Sequence, residues 1–414
     1  DVGSPYRPHS DQQLSAIEVA LSRLKNIDPI AVTAIQVHRK ALVVGGGISG
    51  MQAALAVADH GYPVVLVEQT EKLGGNLEWL NRTIEDHPIA PLLDATVQKV
   101  ENHPLIEIQL STAITESFGE VGNFFTSMTD SAGTLKSIQH GTVILATGGS
   151  EAGTNAYGYG DHTAVITQKE LELRLGKKEF DATDLQSVVM IQCVGSREEP
   201  RNYCSRVCCP TSLKHALKLK ELNPDLAVYV LYRDMMTPGF VESYYTKLVL
   251  ATGMVPKLSS RLAKLFGAHR DQDGFFQEAD PKWRPVDALK EGVFACGIVL
   301  SPRSIPDAIS SAQAAAQRSL KILSHERLRI GKVVATVRHS LCSRCECCLD
   351  ACPYGARSLD VSNDRILVNP VMCQGCGDCA TVCPNSAAVV QGFADKQVMA
   401  LGPRIQGSKW KTNY

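Results

Sequence analysis

Eight cysteines near the C-terminal end fall into two runs of one pattern, Cys342-x2-Cys345-x2-Cys348-x3-Cys352-Pro353 and Cys373-x2-Cys376-x2-Cys379-x3-Cys383-Pro384. In a pair of such runs, three cysteines of each ligate one 4Fe-4S cluster while the fourth crosses to the other, so neither half can close alone. The spacing therefore predicts one cluster on Cys342, Cys345, Cys348 and Cys383, and a second on Cys373, Cys376, Cys379 and Cys352. A structural zinc needs four thiolates per ion and has no use for an interlocked repeat. Thiolate ligands at this density predict a reducing compartment, the cytoplasm, and sensitivity to oxygen, in place of a disulfide framework. Cys347, a further cysteine inside the first run, reads as a packed thiol.

The rest of the 414 residues exceeds what one hydrophobic core organises, so two or three domains are expected. Lys and Arg (42) balance Asp and Glu (43), which leaves no net field for nucleic acid or an anionic membrane. Apolar runs such as Ala41–Val44 and Val64–Val67 are strand-sized, far below the roughly 18 residues a spanning helix needs, so a direct membrane span is not expected and any membrane link would come through a partner. The chain begins at Asp1 with neither a basic nor an apolar leader, so no signal peptide is expected and the true start is read as lying upstream.

Ser10 and Gln13 resemble a capping box ahead of Leu14, Ile17, Leu21 and Leu24, which predicts an amphipathic helix over 11–26 within an N-terminal segment 1–39. A strand over Lys40–Gly45, an Ala-rich helix over Ser49–His60 and a strand over Pro63–Glu68 make a βαβ unit. A helix near Leu92–Glu101, a strand at Leu105–Leu110 and a buried strand at Thr142–Thr147 complete a first block, 40–185. A second unit, 186–248, opens with strand Ser187–Gln192, helix Thr211–Leu222 and strand Ala227–Tyr232. Glu242–Leu248 then runs without a turn signal into Val249-Leu250-Ala251-Thr252-Gly253, a near copy of Ile144-Leu145-Ala146-Thr147-Gly148. That junction reads as missing residues or as a natural deletion. Block 249–326 returns to the first domain through a long Ala/Ser-rich helix starting near Pro306. The cysteine-rich module fills 327–400 and a polar tail 401–414.

Gly45-Gly46-Gly47-Ile48-Ser49-Gly50 leaves a strand and opens a helix. Gly45, Gly47 and Gly50 permit the tight turn and close backbone approach, Ile48 and Ser49 start the helix that receives a pyrophosphate, and Glu68, with Gln69 beside it, ends the next strand where ribose hydroxyls bind. Further glycine turns follow at Leu73-Gly74-Gly75-Asn76, at Ala146-Thr147-Gly148, and at Gly297 ahead of Ile305 and Pro306. This arrangement resembles the two-domain flavoprotein reductases related to thioredoxin reductase. The resemblance implies FAD, with Gly74 and Gly75 against the flavin and the last helix aimed at its pyrimidine edge, where a positive dipole end favours reduced, anionic flavin. Gly297-Ile298 stands where that family has Gly-Asp. The fold expected is therefore an α/β two-dinucleotide-binding-domain flavoprotein followed by an α+β, bacterial-type two-cluster ferredoxin domain.

The second unit should carry another Gly-x-Gly-x-x-Gly but reads Cys193-Val194-Gly195-Ser196-Arg197-Glu198-Glu199-Pro200, a poor nicotinamide site. Cys193, Cys204, Cys208 and Cys209 gather at that place. A further cluster, a redox pair at Cys204 and Cys208, or buried small side chains all suit the spacing. The sequence closely resembles the A-type flavoprotein component of heterodisulfide reductase and its relatives in quinone-interacting and aromatic-acid reductase complexes. Ala41–Leu55, Leu73–Leu80, Gln192–His215, Tyr232–Tyr245, Leu250–Pro256, Ser301–Ala315 and both cysteine runs carry that resemblance, Tyr203-Cys204-Ser205-Arg206-Val207-Cys208-Cys209 most specifically. It implies a third 4Fe-4S cluster on Cys193, Cys204, Cys208 and Cys209, and an oxidoreductase subunit that relays electrons. Implied partners are B/C-type or hydrogenase- or dehydrogenase-linked subunits in a hetero-oligomer, with dimerisation open. Family members with full machinery bifurcate electrons at FAD. The methanogen form carries a ferredoxin-like insertion where this chain has only Phe118–Gly141, which leaves bifurcation open here. The rival reading is an autonomous NAD(P)H-dependent reductase resembling the glutamate synthase small subunit; a ferredoxin fused to an empty flavin scaffold is a third.

Overall fold

The computed structural model describes residues 17, 21, 25, 33–83, 85–183, 185–233, 254–257, 259–330 and 333–393. Contacts divide the chain into a larger unit, 36–328, and a smaller one, 1–35 with 329–414. Residues 17, 21 and 25 are helical; the remainder of the helix expected over 11–26 lies outside the described residues, as does the junction at Leu248 and Val249.

In chain order the first elements are strand β1 (Thr33–Gln36), β2 (Ala41–Val44), helix α1 (Ile48–Ala58), β3 (Val64–Val67), α2 (Ala90–Glu101) and β4 (Ile106–Gln109). β2 and β3 are buried along their whole length, as parallel strands covered on both faces must be. Next come β5 (Thr112–Glu120), β6 (Asn123–Asp130) and β7 (Leu135–His140), a separate antiparallel meander that takes in most of the short segment Phe118–Gly141. β8 (Thr142–Leu145) returns to the main sheet, and β9 (Gly149–Glu151) and α3 (Gln168–Gly176) follow.

The second unit of the sequence reading consists of β10 (Ser187–Ile191), α4 (Cys208–Leu222) and β11 (Ala227–Leu231), with β10 and β11 paired in parallel. α4 starts three residues before the expected Thr211, which puts Cys208 and Cys209 in its first turn. Pro210 does not prevent this, because a first-turn amide has no helical acceptor to lose. β12 (Met254–Pro256) pairs antiparallel with β9, α5 (Ser260–Phe266) follows, and β13 (Val293–Ala295), α6 (Ile305–Leu323) and β14 (Arg327–Ile330) complete the run; β14 pairs with β1.

The main sheet runs β13-β8-β2-β3-β4, all parallel. Leu42, Leu66, Ile144, Leu145 and Met51 are almost wholly enclosed, each contributing about 1.5–3 kcal/mol by burial. Small residues set the helix spacing: Ala53, Ala54 and Ala58 of α1 share this core with Ala312, Ala315 and Ala316 of α6. Both helices open over the C-terminal edge of the sheet, where glycine turns leave β2 and β13. That edge is where open parallel sheets bind ligands.

The smaller unit holds β15 (Ala335–Val337), α7 (Cys347–Asp350), β16 (Arg357–Asp360), β17 (Arg365–Val368), α8 (Asp378–Thr381) and β18 (Ala388–Val390). β15 pairs antiparallel with β18, and β16 with β17. One enclosed cluster in it is Ala335, Ala356, Cys373, Cys379 and Ala388, and Ile366, Val371 and Val390 are buried as well. A core this small leaves bound clusters to supply much of the unit's stability. Among the described residues no helix is long and apolar enough to cross a membrane.

Candidate functional site

The three motif glycines after β2 divide by what surrounds them. Gly45 takes φ +112°, and a Cβ there would lie 2.3 Å from the Ala146 carbonyl oxygen. A Cβ on Gly50 would lie 1.8 Å from the Gly45 carbonyl oxygen. Both glycines therefore serve backbone packing. Gly47 is the N-cap of α1, has no neighbour within 4 Å of where its Cβ would be, and leaves the helix without a side-chain cap. Free amides at Ile48, Ser49 and Gly50 thus open onto vacant space, the arrangement that binds a pyrophosphate.

Glu68, just past β3, accepts the Gly46 N–H on Oε2 at 2.6 Å and the Thr70 N–H and O–H on Oε1 at 2.9 Å each. Its carboxylate is pinned beside the glycine turn, and Gln69 is exposed. Gly74 donates its N–H to Gly46 O at 2.9 Å, and a Cβ on Gly75 would stand 3.1 Å from Gly47 Cα. Asn76 Nδ2 donates to Gly149 O at 2.9 Å, tying this loop to the segment after β8. There Ala146 backs the turn, Thr147 Oγ1 is buried without a partner, and Gly148 has φ +73° with open space at its Cβ position. An orphaned hydroxyl beside the open Gly148 position fits a bound dinucleotide cofactor.

Gly297 closes the site from the other side. Its φ is +77°, its N–H donates to Ser311 Oγ at 2.9 Å, and an added Cβ would meet Ser49 Oγ at 2.3 Å. α6 then begins at Ile305 with Pro306 second, and Ser304 caps it by accepting the Asp307 N–H. The neighbouring Cys296 is enclosed, and burial pushes its thiol up to about 12, so it stays neutral.

The second cysteine group sits where a nicotinamide phosphate turn would be. Cys193 follows β10 with φ +56°; Cys193, Cys208 and Cys209 are buried and Cys204 is half-buried. The Arg206 N–H donates to Cys204 Sγ at 3.4 Å. A hydrogen bond with Cys209, burial, and the charges of Cys209, Cys204 and Cys193 all drive the Cys208 thiol upward. The neighbouring sulfurs raise the Cys208 and Cys193 thiols, which brings the four cysteines together at one place. The surviving Gly195 is closed off: Arg201 Nη1 donates to its carbonyl at 2.8 Å and stands 2.9 Å from the position of an added Cβ.

In the smaller unit, one cavity is lined by Cys352, Cys373, Cys376 and Cys379 and another by Cys342, Cys345, Cys348 and Cys383. Amide hydrogens already point at sulfur: Ala335 N–H to Cys373 at 3.3 Å, Ala356 N–H to Cys352 at 3.4 Å and Ala387 N–H to Cys383 at 3.2 Å. Cys347 is exposed, donates to Cys345 O at 3.6 Å and lines neither cavity. Among the described residues, no three His, Cys, Asp or Glu side chains stand at the spacing of a single metal ion. The sequence reading passed over Arg357, which lines both cavities. The one signal for it is the internal repeat, whose second copy has Ala388 at the corresponding place.

Sheet order, glycine turns and paired cysteine cavities define a FAD and 4Fe-4S oxidoreductase, a two-dinucleotide-binding-domain flavoprotein with a two-cluster ferredoxin domain. Residues 37–191 match the family profile of pyridine nucleotide-disulphide oxidoreductases, and 341–387 that of the 4Fe-4S dicluster domain. Over most of its length the chain is similar to proteins named as A-type subunits of heterodisulfide reductase. It is 28% identical over 494 residues to the A-type component of the H(2):CoB-CoM heterodisulfide,ferredoxin reductase of Methanothermobacter thermautotrophicus, covering 85% of this chain and 74% of that protein. It is 25% identical over 560 residues to the corresponding component of the ferredoxin:CoB-CoM heterodisulfide reductase of Methanosarcina acetivorans, covering 94% and 70%. Both alignments are longer than the 414 residues here, so the relatives carry internal segments that this chain lacks. Among solved structures, T. acidophilum thioredoxin reductase aligns at 15% identity and TM-score 0.49, covering 69% of this chain and 99% of that one.

Proposed function

We propose that this flavin and iron–sulfur electron-transfer protein works as a relay component of a heterodisulfide-reductase-like complex in the cytoplasm. A third 4Fe-4S cluster on Cys193, Cys204, Cys208 and Cys209 takes the place of a nicotinamide. The observation that carries this reading is the exchange at one location in the fold: the turn that would hold a nicotinamide phosphate is closed by Arg201, and four sulfurs gather beside it. Flavin exchanges one or two electrons and each cluster one, so FAD suits the junction between unlike carriers.

The roles of the chain's own residues follow from their surroundings. The amides after Gly47 bind the pyrophosphate, Glu68 takes the ribose, and the Thr147 hydroxyl and the turns at Gly74, Gly75 and Gly148 bed the flavin. Gly297 and the start of α6 at Ile305 and Pro306 bring a positive dipole end towards it. Cys296, held neutral, keeps a negative charge away from that place. Cys342, Cys345, Cys348 and Cys383 hold one ferredoxin cluster and Cys352, Cys373, Cys376 and Cys379 the other. Partner subunits supply the donor and acceptor.

Anaerobically isolated protein is expected to hold about 12 irons per FAD, three clusters of four, and Cys208→Ala to lower this to about 8 with both ferredoxin signals intact. NADH should leave the flavin of the wild type oxidised while dithionite bleaches it. A wild-type content of about 8 irons would point to a dithiol at Cys204 and Cys208, and rapid bleaching by NADH to an autonomous reductase.

A further inference from the structure

Arg357 opens β16, is 7% exposed, and lies in the lining of both cysteine cavities of the smaller unit. Its Nη2 donates to Cys379 Sγ at 3.0 Å, and its Nη1 is buried with no hydrogen-bond partner. Among the described residues no carboxylate pairs with it. A guanidinium keeps its charge at any working pH, and an uncompensated buried charge is strongly destabilising. Something anionic must therefore answer it. A 4Fe-4S cluster with four thiolates is an anion in both oxidation states and gains one more negative charge on reduction. Cys348 lines the other cavity together with this guanidinium.

The cysteine runs repeat, and this residue does not. Arg357 stands five positions after Cys352; five positions after Cys383 stands Ala388, buried at 6% exposure. The amide-to-sulfur bonds of Ala356 and Ala387 are kept in both copies. The repeat thus accounts for the ligands and for backbone donors, while the cation occurs once, at the seam.

We propose that Arg357 is a positioning residue that sets the reduction potentials of both ferredoxin clusters, with its Nη2 on the Cys379 thiolate and its Nη1 towards the sulfur of the other cluster. Net charge and hydrogen bonds to sulfur are what a protein uses to tune such a potential. The added electron is stabilised by the buried cation, so both clusters are easier to reduce than they would be without it. The inference rests on the cysteine pairing proposed above, which wild-type iron content and two distinct cluster signals check independently.

The experiment is an anaerobic redox titration of the full chain followed by electron paramagnetic resonance, with iron analysis, for wild type, Arg357→Gln and Arg357→Lys. Gln keeps a donor without the charge and is expected to lower both midpoints by at least a tenfold change in the reduction equilibrium, about 59 mV for one electron. Lys, which keeps the charge but not the planar fork, is expected to recover most of that shift. Unchanged midpoints in iron-replete Gln protein would overturn the proposal, and so would equal shifts in Gln and Lys. If Gln protein loses its iron, full iron in Lys protein supports the need for a cation at the seam, and loss from both variants assigns Arg357 to packing alone.

Discussion

Two glycines of one motif make opposite demands. Val at Gly47 fits a backbone already in the extended region (φ −73°, ψ 179°) and meets no atom within 4 Å, so its cost falls on the ligand alone. Gly47→Val is expected to fold with unchanged circular dichroism while its FAD content drops at least about tenfold, because the side chain fills the pyrophosphate space. Gly50→Val forces a Cβ against the Gly45 carbonyl and should destabilise the larger unit by about 3 kcal/mol or more, read as loss of folded protein. Full flavin in Gly47→Val would move the cofactor elsewhere. A different residue governs the acid response. His140 is fully enclosed between Thr126 Oγ1 at 2.8 Å and the Thr142 carbonyl at 3.0 Å, and burial lowers its pKa to about 4, helped by His38 and Lys40 and opposed by the Thr142 bond. The unfolded chain binds a proton near pH 6.5 that the folded one refuses until about pH 4. Stability is therefore full above that upper value and declines as pH falls through the window, by about 3 kcal/mol in all. Urea unfolding followed by flavin fluorescence should show about 2 kcal/mol lost between about pH 7.5 and about pH 5, and His140→Asn should flatten that slope. An equal slope in the variant would assign the acid response to other groups.

At the scale of elements, a test of cluster ligation turns on crossing. Cys352 ends the first run in sequence but lines the cavity of Cys373, Cys376 and Cys379. Cys352→Ala should therefore abolish the signal of the second run's cluster and spare the one at Cys342, Cys345 and Cys348; the reverse loss in electron paramagnetic resonance would mean that the pairing is wrong. The elements that sequence reading found and missed differ in physical kind. β2, β3 and β8 are buried on both faces and read as unbroken apolar runs, and the glycine turn after β2 is fixed by backbone clashes that other residues would create. The meander β5–β7 went unread because its strands alternate buried and exposed positions among Thr, Ser and Glu. The early start of α4 was hidden by Pro210, a residue that breaks helix interiors and so sets the expected start after it at Thr211, although the first turn tolerates it. Arg357 escaped notice because an arginine in a four-residue strand looks solvated, and only the cavity on either side gives it a role.

For the whole molecule, the question is whether the flavin and the ferredoxin clusters depend on each other for assembly. The glycine turns and Glu68 belong to the larger unit, 36–328, while both cysteine runs belong to the smaller, 329–414 with 1–35. The enclosed cores are separate too: the sheet side chains around Leu42 and Ile144 in one, and Ala335, Ala356 and Ala388 with two cysteines in the other. Units with separate cores load separate cofactors, because the free energy of cluster binding stabilises only the unit whose ligands it joins. Gly47→Val, lacking FAD, is thus expected to keep the two ferredoxin clusters, about 8 irons, in a form that dithionite reduces to the wild-type signals. The variant should lose electron delivery from any two-electron donor that enters through flavin, since one-electron carriers alone remain. Disappearance of the ferredoxin signals together with the flavin would show the opposite, a molecule whose units fold and fill as one.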